Sequence, residues 1–85
     1  MAFEVIWDPK SLKVLDKLPE EDSSRIVKKV DVAKEDPKRY AERLVGEEGY
    51  KIRVGDYRVF VDVYYDTNMI KVRAIRHRRE AYKKK

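Results

Sequence analysis

The clearest indication of the fold comes from residues 50–77, which read YKIRVGDYRVFVDVYYDTNMIKVRAIRH. Apolar and polar side chains alternate through most of this stretch, and a period of two is typical of β-strands with one buried face. Gly55-Asp56 is a two-residue hairpin signal, and Asp66-Thr67-Asn68 indicates a second turn. The stretch therefore predicts a three-stranded antiparallel meander.

The alternation also predicts which side chains share each face of the meander. One face is aliphatic and is expected to enter the core through Ile52, Val54, Val59, Val61, Val63, Val72 and Ala74. The other face is basic and carries Lys51, Arg53, Arg58, Lys71 and Arg73, with His77 in phase if the last strand runs that far. Such a face can bind a polyanion, but solvated sheet faces also carry Lys and Arg as edge protection, so both interpretations stay open here.

A strand and two helices are predicted before the meander. Residues 3–7 alternate as a short strand, and Asp8-Pro9 is a favourable start for a helix over residues 9–18. A second helix begins at Pro19 with acidic residues in its first turn, and Asp36-Pro37 ends it. Residues 37–49 are expected to be a connector with one helical turn from Tyr40 to Leu44. The helices are expected to contribute Leu12, Leu15, Ile26, Val30 and Ala33 to the core.

The predicted fold class is α/β (α+β), in a single domain over residues 1–85. It consists of an N-terminal strand, an antiparallel helix pair, the three-stranded meander and a short C-terminal tail. A chain of 85 residues is long enough for one small domain. It has no cysteine, which excludes a disulfide scaffold and thiol catalysis. No apolar run approaches the length of a membrane span, so we expect a soluble, cytoplasmic protein without a membrane partner.

The charge is distributed unevenly along the chain. Residues 1–49 hold 10 basic and 12 acidic side chains, whereas residues 50–85 hold 11 basic and 4 acidic ones. Six of the nine aromatic residues also lie in the second part. Basic residues interleaved with aromatics favour contact with nucleic acid, although high surface charge also keeps small proteins soluble.

The inventory of reactive residues restricts the chemistry. With one histidine and no cysteine, the sequence contains no recognisable metal-ligand set, and we expect no cofactor. Its serines lie on predicted helices remote from His77, which argues against a Ser-His-Asp triad. Cationic residues can instead promote phosphodiester cleavage by the 2′-OH of RNA, which needs a base, positive charge on the transition state and an acid.

Two motifs resemble those of a known superfamily. The segment YKIRVGDYRV at residues 50–59 and the segment HRREAY at residues 77–82 are similar to the RelE/ParE toxin superfamily, on the RelE side. The predicted order of elements and the chain length agree with this resemblance over essentially the whole chain. It implies a toxin of a type II toxin–antitoxin system, held inactive by a cognate antitoxin.

A RelE-like toxin cleaves mRNA in the ribosomal A site without a metal, and the resemblance carries residue roles with it. Lys51 resembles the general base, Arg58 the arginine that stabilises the transition state, Arg78 a further catalytic arginine, and Tyr82 the tyrosine that stacks on an mRNA base. Arg53 stands where the family has a second lysine, and it cannot replace a lysine in proton transfer. The ordinary pKa of a histidine would suit a general acid, which makes His77 a catalytic candidate. The predicted RNA-binding residues are Arg53, Lys71, Arg73, Arg76 and Arg79.

Two alternatives stay open beside the ribosome-dependent endonuclease. The superfamily also contains ParE-like members, which inhibit DNA gyrase and do not cut RNA. A domain that binds nucleic acid without any activity is the third possibility.

Overall fold

The computed structural model describes residues 2–81 as a mixed sheet with helices packed on one face. The elements, in chain order, are β1 (Glu4–Trp7), α1 (Pro9–Lys17), α2 (Glu20–Ala33), α3 (Pro37–Tyr40), β2 (Glu42–Arg43), β3 (Tyr50–Val54), β4 (Tyr57–Tyr64), β5 (Met69–His77) and α4 (Arg78–Ala81). The predicted fold class is confirmed, including the N-terminal strand, the helices and the antiparallel meander of β3, β4 and β5.

The meander is the centre of a five-stranded sheet with the order β1-β5-β4-β3-β2. Strand β1 pairs in parallel with β5, and the other neighbours are antiparallel. The two predicted turns are present, and Gly55 and Asn68 in them adopt φ values of 57° and 55°. Glycine and asparagine tolerate this left-handed conformation better than other residues, which is why these positions reverse the chain.

The connector between α2 and β3 differs from the prediction. The helical turn lies at Pro37–Tyr40 rather than at Tyr40 to Leu44, and the two-residue strand β2 follows it. Proline at the first helical position starts the turn early. Strand β2 forms because the edge of β3 is available for pairing. Two residues are too few to show the alternation that predicts a strand.

The helices begin where their capping residues predict. The Asp8 carboxylate accepts a 2.8 Å hydrogen bond from the backbone N–H of Lys10, and Pro9 opens α1. Helix α2 has three acidic residues in its first turn, where they face the positive end of the helix dipole. Among residues 2–81 no helix is long and apolar enough to cross a membrane.

The core lies between the helices and one face of the sheet. Its buried apolar members are Ile26, Val30, Ala33, Ile52, Val54, Val59, Val61, Ile70, Val72 and Ile75. Two predicted core residues are wrong. Leu12 is 45% exposed, because α1 turns Ser11 toward the core instead. Ile75, and not Ala74, is buried at the end of β5.

Candidate functional site

The sheet face turned away from α1 and α2, here called the open face, carries most of the predicted site residues. Strand register and alternation place six cationic side chains on it: Lys51, Arg53, Arg58, Lys71, Arg73 and Arg76. Lys51 and Arg58 therefore lie on the same face, as the sequence pattern predicts. The face gathers cations from three adjacent strands, β3, β4 and β5.

Three of these arginines form a row across the sheet. Arg53 on β3 is directly opposite Arg58 on β4, and Arg58 is directly opposite Arg76 on β5. Lys51 lies two residues before Arg53 on the same face, opposite Phe60. Directly opposed like charges destabilise a sheet. An anion bound across the row would offset the repulsion between the three arginines, because guanidinium groups bind phosphate and carboxylate oxygens.

A β-bulge in β5 creates the third member of this row. Val61 pairs with Val72 and Phe60 pairs with Ala74, so Arg73 is an extra residue on β5. The extra residue reverses the alternation beyond it. Ile75 consequently enters the core, and Arg76 joins the row on the open face.

The same bulge overturns the expected position of His77. Its cross-strand partner Tyr57 lies on the helix side of the sheet, since the Tyr57 hydroxyl donates a 3.3 Å hydrogen bond to Asp22 of α2. The His77 ring meets the Tyr57 ring edge to face, with 5.3 Å between the centroids. His77 Nδ1 also accepts a 3.3 Å hydrogen bond from the backbone N–H of Arg79. His77 thus caps the start of α4 and is not in phase with the basic face.

Arg58 is buried, although it lies on the face of the sheet that α1 and α2 leave uncovered. Only 7% of its surface is accessible. Its Nη1 donates hydrogen bonds of 3.0 Å to the Gly55 carbonyl and 2.9 Å to the Tyr57 carbonyl, and both acceptors belong to the β3–β4 hairpin. The guanidinium is therefore held in one position between the more exposed Arg53 and Arg76.

Two carboxylates lie among the cations of the open face. Arg53 Nε is 3.7 Å from Glu42 Oε2, and Arg73 Nε is 3.3 Å from Asp62 Oδ1. Gly49 lies directly against the second pair, because a Cβ at Gly49 would be 2.9 Å from Arg73 Nη2. The bulge residue is thus held on one side by a carboxylate and on the other by the backbone before β3.

The remaining predicted site residues are distributed around this face. Lys71 lies on it opposite Asp62, and both Arg78 and Arg79 are exposed in α4. The Arg78 backbone N–H donates a 2.6 Å hydrogen bond to the Asp56 carbonyl, which ties α4 to the hairpin turn. Tyr82 lies outside the described residues.

One tyrosine away from these cations has a shifted pKa. Burial, with smaller contributions from Tyr50 and Asp36, raises the pKa of Tyr65 above its ordinary value. The Tyr65 ring packs edge to face on Phe3, at the opposite end of β4 from Arg58. The shift therefore belongs to a packing site rather than to the open face.

Solved structures of RelE toxins share this fold. The RelBE2 toxin–antitoxin complex from Mycobacterium tuberculosis matches with a TM-score of 0.83 at 20% identity, over 91% of this chain and 99% of that chain. The RelE–RelB complex from Pyrococcus horikoshii matches with a TM-score of 0.76 at 25% identity, over 92% and 97%. The intact RelBE complex from E. coli matches with a TM-score of 0.77 at 26% identity, over 87% and 94%.

The sequence itself identifies the family. The family model described as the ParE toxin of type II toxin–antitoxin system, parDE, matches residues 5–82, and the chain belongs to this family. No curated protein matches the chain significantly. The fold and the family together define a toxin of a type II toxin–antitoxin system in the RelE/ParE superfamily.

Proposed function

We propose that this toxin is a ribosome-dependent endoribonuclease that cleaves mRNA in the A site by attack of the RNA's own 2′-OH. The observation that carries the proposal is the row of Arg53, Arg58 and Arg76 on adjacent strands with Lys51 beside it. Such an array suits a phosphodiester whose negative charge increases in the transition state. The similarity to RelE structures at 25% and 26% identity supports the same activity.

In this mechanism Lys51 takes the proton from the 2′-OH, and Arg53 and Arg76 contact the phosphate. Arg58 lies buried between them, and its position is set by the two hairpin carbonyls. It therefore supplies a fixed positive charge beneath the phosphate without reorganising during the reaction. Arg78 adds charge from the start of α4, and Tyr82 is assigned to stacking on an mRNA base.

Histidine is not assigned the general-acid role. His77 lies on the helix side of the sheet and uses Nδ1 to cap α4. The 5′-oxygen leaving group is therefore assigned a proton from solvent water, which reaches the exposed part of the open face at Arg53 and Arg76. This is the one role in which the proposal departs from the chemistry expected from the sequence.

Two substitutions of Lys51 test the proposal in single-turnover cleavage of mRNA on programmed ribosomes. Lys51→Ala should slow cleavage about 10²- to 10⁴-fold if Lys51 is the general base. Lys51→Arg should not restore the rate, because arginine keeps the charge but does not deprotonate. Lys17→Ala, at an exposed position at the end of α1, is the matched control and should cleave at the wild-type rate. A fully active Lys51→Ala variant would refute the assignment.

Gyrase inhibition is the second candidate, and the description of the family model as a ParE toxin favours it. Primer extension on mRNA from cells that express the toxin should reveal codon-phased cuts if the toxin is an endonuclease. A supercoiling assay with purified gyrase should show no inhibition in that case. Inhibited supercoiling without mRNA cuts would assign the chain to gyrase instead.

The proposed regulatory partner is an acidic antitoxin that covers the open face, the helices or both. The RelE structures from P. horikoshii and E. coli are complexes with RelB antitoxins. The positive charge of the open face favours an acidic segment in the partner. Co-expression of the neighbouring small gene should relieve growth arrest and yield a co-purifying complex, and failure of both would contradict this partner.

A further inference from the structure

A cleft lies between α1 and the edge of β5. Strand β1 pairs only with residues 69–72 of β5, so within residues 2–81 no strand covers the outer edge of residues 73–77. Helix α1 passes beside this uncovered edge and contacts β5. The space between them has a volume of about 300 Å³.

The lining of this cleft is cationic. Lys10 of α1 lies on one side, and Arg76 of β5 lies on the other. Arg73 also lines the cleft, but its guanidinium pairs with Asp62 on β4. No carboxylate belongs to the described residues that line it. The groove between α1 and α2, by contrast, includes Asp16 and Glu20 in its lining. The charge of the α1–β5 cleft therefore favours an anion.

Ser11 lines this cleft from the inward side of α1. It is 1% exposed and lies on the inward side of α1. The other residues on this side that pack against the core are leucines, namely Leu15 and, just after the helix, Leu18. Its hydroxyl is 3.5 Å from the Val72 carbonyl, which is the long limit of a hydrogen bond. A leucine at this position would take up more of the space between α1 and β5 than the buried serine does.

The cleft is continuous with the open face. Arg76 belongs both to the arginine row and to the lining of the cleft. An RNA strand that lies across the row can therefore pass over the edge of β5 and place its next phosphate beside Lys10. Phosphate groups recur along the strand with fixed spacing, so an extended basic track is the usual way to hold single-stranded RNA.

We propose that the α1–β5 cleft binds a backbone phosphate of RNA and that Lys10 is its specific contact. The inference rests on the proposed function, since it extends the RNA-binding surface of the open face. Either the mRNA substrate or ribosomal RNA can supply this phosphate. Lys10 binds RNA in this scheme and takes no part in the chemical step.

The test is the salt dependence of binding to a fluorescently labelled single-stranded RNA. Methylated 2′ oxygens prevent cleavage of this probe while its phosphates remain. Lys10→Ala should lower the slope of log affinity against log salt by about 0.7, which is about 2.6-fold in affinity between about 50 and 200 mM salt. The loss should be the same for probes of different sequence, because phosphates carry no sequence information.

Lys28→Ala is the matched control. Lys28 is an exposed lysine in a groove of about 340 Å³ that is also cationic, with Arg25 and Lys29, but that groove lies between α2 and the end of β3. This variant removes the same charge from the protein and should leave the slope unchanged. Equal slopes for the two variants, whether both lowered or both unchanged, would overturn the cleft as a phosphate site.

Binding to ribosomes without mRNA forms a second arm of the test. If Lys10→Ala weakens binding only to the RNA probe, the phosphate belongs to the mRNA substrate. If the variant weakens binding to empty ribosomes, the phosphate belongs to ribosomal RNA. The absence of a specific loss in both arms refutes the proposal. Cleavage by the wild-type toxin is measured separately, so an active wild type with an unaltered Lys10→Ala variant refutes the cleft and leaves the proposed function intact.

Discussion

Replacing Arg58 with alanine should destabilise the protein as well as inactivate it. The guanidinium is 7% exposed and donates hydrogen bonds of 3.0 and 2.9 Å to the Gly55 and Tyr57 carbonyls. Hydrogen bonds from a charged group contribute about 1.5–3 kcal/mol each, and both use the same nitrogen, so we expect a total loss of about 2–4 kcal/mol in the free energy of unfolding. For a chain of 85 residues, this is a large fraction of an expected stability of about 4–13 kcal/mol.

Arg53 offers a matched control in the same row. It is directly opposite Arg58, but more than half of its side chain is exposed, and its ion pair with Glu42 is 3.7 Å long. An exposed pair of this kind contributes at most about 1 kcal/mol. Arg53→Ala should therefore unfold at nearly the wild-type urea concentration, whereas Arg58→Ala should unfold at a clearly lower one.

Urea denaturation followed by tryptophan fluorescence measures this difference directly. Trp7 is the only tryptophan, and it is half-buried on β1 against the core, so its emission reports loss of the packed sheet. Arg58→Lys should be intermediate, because lysine keeps the charge but not the planar fork. Equal stabilities for Arg58→Ala and Arg53→Ala would refute the claim that Arg58 is a buried anchor of the hairpin.

Ile75→Ala should lower the free energy of unfolding by about 2–5 kcal/mol and Ala74→Ser by less than about 0.5 kcal/mol, because the bulge buries the first residue and leaves the second on the open face. Similar losses in urea denaturation would contradict the bulge. Gly49→Ala and Gly46→Ala should each lower the free energy of unfolding by on the order of 1–3 kcal/mol, because both glycines have positive φ. Of the two, only the new Cβ at residue 49 would approach a side chain, at 2.9 Å. Gly49→Ala should therefore unfold at a lower temperature than Gly46→Ala. His77→Asn should preserve single-turnover cleavage, since asparagine also caps helices; a loss as large as that of Lys51→Ala would return His77 to the general-acid role.

Much of the fold could be predicted because it depends on local properties of the chain. The alternation over residues 50–72, the Gly55-Asp56 turn and the Asp8-Pro9 helix start are short-range features, and each occurs where it was expected. Strand β2 was missed because two residues carry no periodicity, and its formation depends on the free edge of β3.

The candidate site could be predicted in part for the same reason. Alternation together with the two-residue Gly55-Asp56 turn places Lys51, Arg53 and Arg58 on one face, and the structure confirms that they share it. Burial of Arg58 was unpredictable, because it depends on how its side chain folds back onto the hairpin carbonyls. The roles of these residues in cleavage stay predictions for the kinetic tests above.

The sequence by itself determined the strands, the turns, the helix starts and the concentration of positive charge in the C-terminal half, because these follow from periodicity, backbone preference and composition. Only the tertiary structure decided which residues of β5 face each way. A strict period of two would bury Ala74 and point His77 toward the cations, whereas the bulge buries Ile75 and turns Arg76 outward. The larger side chain gains more from burial against Val59, and one extra residue at Arg73, held by Asp62, makes that burial possible. The orientation of residues 74–77 therefore depends on contacts with β4, which the local sequence of β5 does not contain.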